Sequence, residues 1–421
     1  MNARLAAAEL LVAVMEKGRS LDEALSETRS FNALEGRDRA FARALVTAAL
    51  RRLGGINAVL SRFLQKPLPE TAALGRALLH IGAAQLLVLG TPAHAAVGET
   101  VEAAKQWRET RGFANLMNAV LRRVAREGAD LLAALPPGAD LPAWLYTRWR
   151  AAYGVDAEHI AAALLHEPPL DLSVKSNAED WAAKLLGVLT PTGSVRLTQA
   201  APIDELPGFA DGAWWVQDAA AALPARLLGE VRGKRVLDLC AAPGGKTLQL
   251  AAAGAQVTAV DKSQARLKRL RENLERTQLG AEVICADALE FRAGPFDAVL
   301  LDAPCTSTGT LRRHPDVAWL RRPTDIRALS ELQQRLVAAA ADLLKPGGTL
   351  VYAVCSLEPE EGPAIVSEAL RQGWRRAPLR AGDIPGAEHF ITADGDLRTH
   401  PGQWPEIGGL DGFYAARLQR V

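Results

Sequence analysis

The sequence predicts an α/β protein whose C-terminal part is an open, largely parallel sheet, preceded by a small α+β subdomain and an all-α N-terminal region. From residue 233 onward, short apolar runs alternate with amphipathic stretches, which is typical of strands and helices in a parallel sheet. Residues 3–128 instead carry apolar side chains at helical spacing, without a useful length of strand-like alternation. Prolines and a glycine within residues 136–142 indicate a linker.

The N-terminal region is predicted to be helical throughout. Ser20 and Glu23 have the spacing of a capping box before an apolar residue. Residues 77–98 hold no formally charged side chain, but His80, Gln85 and a Gly-Thr-Pro break divide them into short stretches. Because a membrane span needs a longer unbroken apolar run, we expect two buried helices joined by a turn.

Basic residues are concentrated at the front of the chain. Residues 1–128 contain 18 Lys and Arg against 12 Asp and Glu, a net charge of +6, whereas the remainder has 31 against 36, a net charge of −5. Five arginines fall in and after a helix predicted to begin near Gly36, namely Arg37, Arg39, Arg43, Arg51 and Arg52. This pattern fits either a solvated helical face or a surface that contacts RNA phosphates.

Cysteine and charge patterns exclude several classes of protein. The four cysteines, at positions 240, 285, 305 and 355, show no CxxC spacing and have no HxxxH pair nearby, so no metal site is expected. Unpaired cysteines in a long chain predict a cytoplasmic protein. Glu9, Glu16 and Lys17 interrupt the apolar N-terminal run, which argues against a signal peptide. With no membrane segment and no pattern that requires a partner subunit, we expect a monomer.

We expect three domains, at residues 1–130, 143–230 and 231–421. The second domain mixes helical pieces with strand-like ones such as 171–174. The candidate strands of the third domain are Val236–Leu239, Val257–Val260, Val283–Cys285, Ala298–Leu301 and Leu350–Val354, with helices at 263–278 and 325–344. In such a sheet, ligands bind beyond the carboxyl ends of the strands, near the point where the strand order reverses.

The loop after the first of these strands is a candidate ligand-binding loop. It consists of Cys240, Ala241, Ala242, Pro243, Gly244, Gly245 and Lys246. Glycines let the backbone approach a ligand and lead into a helix whose N-terminus presents free N–H groups. A phosphate-binding P-loop would need glycine in place of Cys240, and the GxGxxG fingerprint of dinucleotide sites is absent.

Acidic residues end the next two strands. Asp261 can accept hydrogen bonds from both hydroxyls of a ribose, and Asp287 can accept one from an adenine amino group. Either aspartate alone would be interpreted as a cap or turn residue. Their occurrence after successive strands predicts a cofactor that contains a nucleoside.

Two cysteines and a carboxylate follow the last two strands. Asp302 and Cys305 come after the fourth strand and Cys355 after the fifth, so all three should meet at the edge where a substrate binds. We interpret Cys240 and Cys285 as small buried hydrophobic residues.

At these residues the sequence closely resembles the RNA 5-methylcytosine methyltransferases of the Nol1/Nop2/Sun family. The family signatures are a proline-cysteine pair, here Pro304 and Cys305, and a cysteine-serine pair, here Cys355 and Ser356. The segments Trp215–Asp218 and Gly412–Ala415 also resemble family motifs. The helical front resembles the antitermination factor NusB, which narrows the resemblance to bacterial members that act on 16S rRNA.

The resemblance implies a Rossmann-like class I methyltransferase domain that uses S-adenosylmethionine. It implies that Cys355 is the nucleophile, that Cys305 assists product release, and that Lys246 and Asp302 line a cytosine pocket. The implied cofactor-binding residues are Cys240, Ala241, Ala242, Pro243, Gly244, Gly245, Lys246, Asp261, Lys262, Arg266, Asp287, Ala288 and Asp302. The domains at 1–130 and 143–230 would bind RNA, by backbone and shape rather than by sequence.

The implied chemistry accounts for the residue types. Carbon 5 of cytosine is a poor nucleophile, and a thiolate that adds to carbon 6 makes carbon 5 reactive toward a sulfonium methyl group. Lys246 or a helix terminus could favour the thiolate, while Asp302 could hydrogen-bond the ring nitrogen and the exocyclic amine. The target base would have to be flipped out of its stack to reach Cys355.

Two departures and three alternatives accompany this interpretation. Val354 stands where the family often has threonine, and Ser173–Lys175 occupies a stretch that often reads Arg-x-Asn, which places RNA contacts there in doubt. The same chemistry on tRNA and a non-catalytic assembly factor remain alternatives. An amino-directed adenine methyltransferase is disfavoured, since Ala303 and Cys305 replace residues of its Asp/Asn-Pro-Pro-aromatic motif.

Overall fold

The computed structural model describes residues 2–198 and 202–420. The helices are α1 (Ala3–Met15), α2 (Leu21–Glu27), α3 (Arg29–Asn32), α4 (Gly36–Arg51), α5 (Leu53–Phe63), α6 (Ala73–Leu87), α7 (Ala93–Gln106), α8 (Ala114–Ala133), α9 (Ala143–Tyr153), α10 (Asp156–Ala163), α11 (Ala178–Lys184), α12 (Leu223–Arg226), α13 (Gly245–Ala252), α14 (Gln264–Thr277), α15 (Val317–Leu320), α16 (Pro323–Leu343) and α17 (Pro363–Arg371). The strands are β1 (Leu170–Val174), β2 (Gly187–Leu189), β3 (Val195–Leu197), β4 (Trp214–Val216), β5 (Arg235–Leu239), β6 (Gln256–Asp261), β7 (Glu282–Cys285), β8 (Phe296–Asp302), β9 (Leu344–Val354), β10 (Trp374–Arg376), β11 (Leu397–Arg398) and β12 (Tyr414–Arg420).

The chain folds into two compact units. The helical unit comprises Met1–His166 and Leu311–Arg322, and the α/β unit comprises Glu167–Thr310 and Pro323–Val421. The helical unit therefore contains a segment that lies far along the sequence, between β8 and α16. A linear pattern cannot reveal such an insertion.

The predicted helices of the front region are confirmed. The side chain of Ser20 caps α2 and Glu23 returns the hydrogen bond, which completes the predicted capping box. The uncharged stretch forms α6 and α7 with a turn between them, as predicted. Within the part of the chain that the structure describes, none of the helices is long and apolar enough to cross a membrane.

The helical unit ends later than the predicted boundaries at residues 130 and 143. Helices α9 and α10, predicted to belong to the small subdomain, lie in it. Buried Arg51 explains part of this: its Nη1 donates to the carbonyls of Leu164 at 3.1 Å and His166 at 3.0 Å. It also donates to the carbonyl of Arg312 at 2.8 Å, which fixes the inserted segment.

The five arginines near α4 therefore do not share one role. Arg37, Arg39 and Arg43 are exposed, whereas Arg51 is buried and Arg52 pairs with Asp140 at 2.9 Å. The prediction of one arginine surface is wrong for Arg51 and Arg52, because they cross-link parts of the helical unit. The first three remain candidates for contact with RNA phosphates.

The small subdomain is built on an antiparallel sheet with strand order β2-β3-β1-β4. The predicted strand at 171–174 is β1, which pairs with β3 and β4. Asp171 and Arg196 form a buried bidentate ion pair across β1 and β3, with both nitrogen–oxygen distances at 2.7 Å. Arg196 also donates to the carbonyl of Ile407 at 2.7 Å, so this pair joins the subdomain to the C-terminal loops of the same unit.

The large sheet has the order β10-β12-β9-β8-β5-β6-β7, with β11 paired to β12. Strands β5 to β9 are parallel. At one side β12 runs antiparallel to β9, and β10 runs antiparallel to β12. The strand order reverses between β5 and β8, which gives the ligand-binding edge expected of a doubly wound sheet. The predicted Rossmann-like fold is confirmed, and each of its five candidate strands is present.

Both faces of this sheet are covered by apolar side chains. One core includes Leu237, Val299 and Val354, and the other includes Val236, Leu300 and Ala353. Val354, which departs from the family threonine, has no exposed surface. Valine is therefore suited to this position, because it packs into the core beside the nucleophile candidate.

The buried Asp171–Arg196 pair predicts a large effect of a single substitution. Arg196→Met should lower the free energy of unfolding by about 3 to 5 kcal/mol, since it leaves a buried carboxylate without its counter-charge. Urea denaturation followed by circular dichroism measures the change. The matched control is Arg327→Met, which breaks the exposed Arg327–Glu331 pair and should cost at most about 1 kcal/mol. Equal effects of the two substitutions would contradict this account.

Candidate active site

Parallel pairing brings three loops to one edge of the large sheet. Asp302 at the end of β8 lies opposite Ala353 of β9, and Leu239 at the end of β5 lies opposite Leu301. The loops that follow these strands begin at Cys240, Ala303 and Cys355. The structure thus brings the ligand-binding loop, the carboxylate and the two predicted cysteines together.

The sulfurs of Cys305 and Cys355 are 3.5 Å apart. Their hydrogen bond lowers the pKa of Cys355 and raises that of Cys305, which is the pattern expected when Cys305 donates its S–H to a Cys355 thiolate. Burial raises the pKa of Cys305 further. Since the thiolate is the nucleophilic form, the opposite pKa shifts of the two thiols favour Cys355 over Cys305 as the nucleophile.

Lys246 lowers the pKa of Cys355 less than the sequence suggested. Its Nζ donates to Oδ2 of Asp302 at 2.8 Å and lies 5.0 Å from the ring centroid of Phe413. The positive charge is among the smaller influences that lower the pKa of Cys355, after the hydrogen bond from Cys305. Lys246 is buried, whereas the Asp302 side chain stays 30% exposed, so the carboxylate remains open to a substrate.

The edge formed by β5, β6 and β7 carries the donors and acceptors of the predicted cofactor site. Helix α13 begins after Gly244, and no side chain caps its N-terminus, which leaves backbone N–H groups for an anionic ligand group. Gly244 has a φ of +109°, and a Cβ there would lie 2.2 Å from Leu270. Only glycine suits this turn, because both its conformation and its packing exclude a side chain.

The two aspartates of this edge differ in environment. Asp261 is buried; its Oδ2 accepts the N–H of Ala242 at 3.1 Å and its Oδ1 that of Ser263 at 2.8 Å. Each carboxylate oxygen keeps capacity for a further donor. Asp287 is exposed, and its Oδ1 accepts the N–H of Leu289 at 2.8 Å. These two acceptors fit a nucleoside, whose ribose hydroxyls and amino group are donors.

Other residues of the predicted cofactor set surround this edge. Arg266 contacts the carbonyl of Ala242 and lies 3.7 Å from Asp261, so it orders the loop from the solvent side. Lys262 is exposed and Ala288 is buried.

The remaining cysteines have different environments. Cys240 is partly buried, and burial together with nearby aspartates raises its pKa to about 12, so it stays a thiol. Cys285 is exposed, so its interpretation as a buried hydrophobic residue is wrong: β7 is the outermost strand on its side of the sheet. Among the described residues there is no group of three or more metal-ligating side chains.

Sequence reasoning assigned no role to three polar residues behind the two cysteines. Thr306, Ser356 and Glu361 form a buried hydrogen-bonded group. A signal was present, because Glu361 follows Cys355 by six positions in the turn that leads to α17. Its burial could not be read from the chain, because glutamate is usually exposed.

Two further family-like segments support the site. Gly412 donates its N–H to the carbonyl of Gly309 at 2.8 Å, and a Cβ on Gly309 would lie 2.0 Å from the Gly412 oxygen. Trp215 donates to Gln217 at 2.8 Å, and Gln217 packs beside Gly245. The segment Ser173–Lys175 begins with a buried serine in β1, whereas Lys175 is partly exposed.

Comparison with protein families matches two parts of the chain. Residues 225–419 match the 16S rRNA methyltransferase RsmB/F family, and residues 1–126 match the NusB family. The NusB match falls in the helical unit, and the RsmB/F match falls in the α/β unit except for residues 311–322, which belong to the helical unit.

Solved structures share this architecture. A structure named PH0851 covers 100% of this chain and 99% of its own, with a TM-score of 0.74 and 21% identity. NSun6 from Pyrococcus horikoshii with SFG covers 66% of this chain and 98% of its own, with a TM-score of 0.58 and 20% identity. At these identities the likeness supports the fold.

Curated relatives match along their whole length. Ribosomal RNA small subunit methyltransferase B of Pseudomonas putida is 38% identical over 450 residues, covering 100% of this chain and 99% of the relative. The protein of the same name from Vibrio cholerae is 40% identical over 443 residues, covering 100% and 98%. With this identity over the full length, the chain belongs to the ribosomal RNA small subunit methyltransferase B family.

Proposed function

We propose that this protein transfers a methyl group from S-adenosylmethionine to carbon 5 of a cytosine in 16S rRNA, through a covalent bond between Cys355 and carbon 6. The observation that carries the proposal is the pair of sulfurs 3.5 Å apart at the ends of two adjacent parallel strands. A protein that only bound RNA would need neither sulfur. The names of the full-length relatives support rRNA over tRNA as the substrate.

The first step is addition of the Cys355 thiolate to carbon 6 of a flipped cytosine. The hydrogen bond from Cys305 stabilises that thiolate. Addition breaks the conjugation of the ring and moves electron density to carbon 5 and the pyrimidine nitrogens. Asp302, held by Lys246 at 2.8 Å, is positioned to accept a hydrogen bond from the exocyclic amine. It can accept a second from the ring nitrogen when that nitrogen takes a proton from solvent, which it returns when the product is released.

S-adenosylmethionine supplies an electrophilic methyl group when bound. The loop Cys240–Lys246 and the uncapped N-terminus of α13 would hold its amino-acid end. Asp261 would accept the ribose hydroxyls, Asp287 the adenine amine, and Lys262, Arg266 and Ala288 would border the nucleoside. Asp302 lies between this edge and the cysteines, so it is suited to contact both ligands.

The last step restores the aromatic ring. Carbon 5 loses its proton to a base, the double bond re-forms, and the electrons of the carbon–sulfur bond return to Cys355. Cys305 is the neighbouring sulfur and, in our proposal, assists this release. The exposed Arg37, Arg39 and Arg43 would bind the rRNA backbone.

The two cysteines predict opposite outcomes of substitution. With labelled S-adenosylmethionine and undermethylated rRNA, Cys355→Ala should lower turnover by about 10⁴-fold or more, because it removes the nucleophile. Cys305→Ala should leave a covalent protein–RNA adduct that survives denaturation. Mapping the labelled base identifies the target position, and Cys285→Ser serves as the control.

Near-normal activity of Cys355→Ala would contradict the covalent mechanism. Label on an adenine amino group or on tRNA in place of rRNA would contradict the substrate. Absence of any transfer by the wild-type protein, with tight RNA binding, would favour the assembly-factor alternative.

The hydrogen bond between the sulfurs predicts a pH effect. In a Cys285→Ser background, alkylation of Cys355 by iodoacetamide should rise with pH through the lowered pKa of that thiol. Cys305→Ala removes the donor, so the inflection of the rate profile should move to higher pH. Mass spectrometry of the labelled peptide assigns the site. An unchanged or lower inflection would contradict the thiolate-stabilising role of Cys305.

The exposed arginines of α4 predict a salt effect. Replacing Arg37 and Arg43 with glutamine should weaken rRNA binding and reduce the slope of log affinity against log salt by about 0.7 to 0.9 for each lost phosphate contact. The charge-matched control replaces Arg327 and Arg371, which pair with glutamates on their own helices. Deletion of residues 1–128 is a poorer test, because 311–322 packs within the same unit. Equal slopes for both double variants would contradict the proposed RNA surface.

A further inference from the structure

Glu361 is a buried carboxylate that the mechanism above does not use. It ends the turn Pro359–Glu361 and has no exposed surface. Its Oε1 accepts the N–H of Thr306 at 2.9 Å and the Nε2 of Gln333 at 3.0 Å. Its Oε2 accepts the hydroxyl of Ser356 at 2.5 Å and also contacts the hydroxyl of Thr306. Burying a carboxylate away from water costs free energy unless such donors surround it. The hydrogen bonds therefore both offset that cost and define where the carboxylate lies.

The donors to Glu361 come from both cysteine loops. Thr306 follows Cys305, and Ser356 follows Cys355. One carboxylate therefore joins the residue after each cysteine. A backbone hydrogen bond also joins the two loops: the N–H of Gly309 donates to the carbonyl of Cys355 at 3.0 Å.

The carboxylate is also attached to the rigid layer behind the sheet edge. Tyr352 of β9 donates to the Glu361 carbonyl at 2.6 Å and to Oε1 of Gln333 at 3.1 Å. Gln333, on α16, donates to the carbonyl of Pro304 at 2.9 Å as well as to Glu361. Hydrogen bonds therefore hold the two cysteine loops to strand β9 and helix α16, and not only to each other.

The charge of Glu361 fits this arrangement. Burial raises its pKa, while hydrogen bonds from Ser356 and Thr306 oppose that rise. After the hydrogen bond to Cys355 and burial, nearby charges including Glu361 help raise the pKa of the Cys305 thiol. A negative group behind the site therefore favours Cys305 as the thiol donor.

We propose that Glu361 is the positioning residue of the two-cysteine site, clamping the Cys305 loop to the Cys355 loop through Thr306 and Ser356. The inference rests on the proposed covalent function. Glu361 does not touch the reacting atoms; it holds the two sulfurs at the separation of 3.5 Å that addition and release both require.

Substitution of Glu361 tests the clamp. Glu361→Gln keeps the shape of the side chain but removes the charge and one acceptor oxygen, so we expect kcat to fall about 100-fold, the cost of a misplacement of roughly 1 Å. KM for S-adenosylmethionine and for rRNA should change by less than about threefold, because Glu361 has no exposed surface for either ligand to contact. Glu361→Asp, with its carboxylate drawn back, should restore part of the rate. The matched control, Glu360→Gln, changes the exposed neighbour in the same turn and should keep wild-type kcat.

Variants of the two residues that donate to Glu361 distinguish a positioning role from a role in stability alone. Thr306→Val loosens the Cys305 loop and should slow release, so a covalent protein–RNA adduct should accumulate. Ser356→Ala loosens the Cys355 loop and should slow formation of that adduct in a single turnover. If Glu361 had a purely structural role, Glu361→Gln, Thr306→Val and Ser356→Ala would each lower the midpoint of thermal unfolding. They would not shift the balance between formation and release of the adduct. These variants keep the test valid if Glu361→Gln does not fold.

Cys355→Ala, run in the same assay, separates the two proposals. If it methylates rRNA, the covalent function fails. If it is inactive while Glu361→Gln turns over within about threefold of wild type, the covalent function stands and the clamp is overturned. If Glu361→Gln does not fold, the clamp is overturned when neither Thr306→Val nor Ser356→Ala shifts adduct formation or release.

Discussion

The parallel pairing of β8 with β9 is the constraint on which the site depends. Its register sets Asp302 opposite Ala353, and the N–H of Ala303 continues the ladder by donating to the carbonyl of Ala353 at 2.9 Å. Both strands end at the same edge of the sheet, so the cysteines that follow them lie next to each other. Residues 50 positions apart thereby form one chemical unit. A slip of one residue would turn the alternating side chains to the opposite face and separate the sulfurs.

Behind this edge the protein places buried polar groups where an apolar core would be simpler. Asp238 in β5 accepts from Thr247 at 2.6 Å, and its burial raises its pKa to about 7. Glu361 is likewise buried, and so is Asp171 in the separate sheet of the small subdomain. Each costs desolvation energy that its hydrogen bonds offset only in part. Their hydrogen bonds join separate loops and strands at defined atoms, which non-directional apolar contacts do not do.

The chain runs directly from the loop that carries Cys305 into the helical unit. After Thr310 the chain leaves the α/β unit, contributes 311–322 to the helical unit, and returns at Pro323. In that unit the segment is anchored by the bond from Arg51 to the carbonyl of Arg312, and by Trp319, whose indole donates to the carbonyl of Leu50 at 3.0 Å. Neither unit is therefore a contiguous piece of sequence, and the RsmB/F match over residues 225–419 runs through the inserted segment of the helical unit.

The sequence by itself determined the fold class, the five parallel strands and the cysteines of interest, because periodicity and loop chemistry are local properties. It also contained the capping box at Ser20, whose hydrogen bonds join residues close in the chain. Tertiary structure alone decided that Arg51 is a buried cross-link, that Cys285 is exposed, and that Glu361 joins the two cysteine loops. Those facts depend on which distant segments of the chain pack together. An arginine, cysteine or glutamate can be exposed to solvent or buried, and the local sequence does not decide between the two.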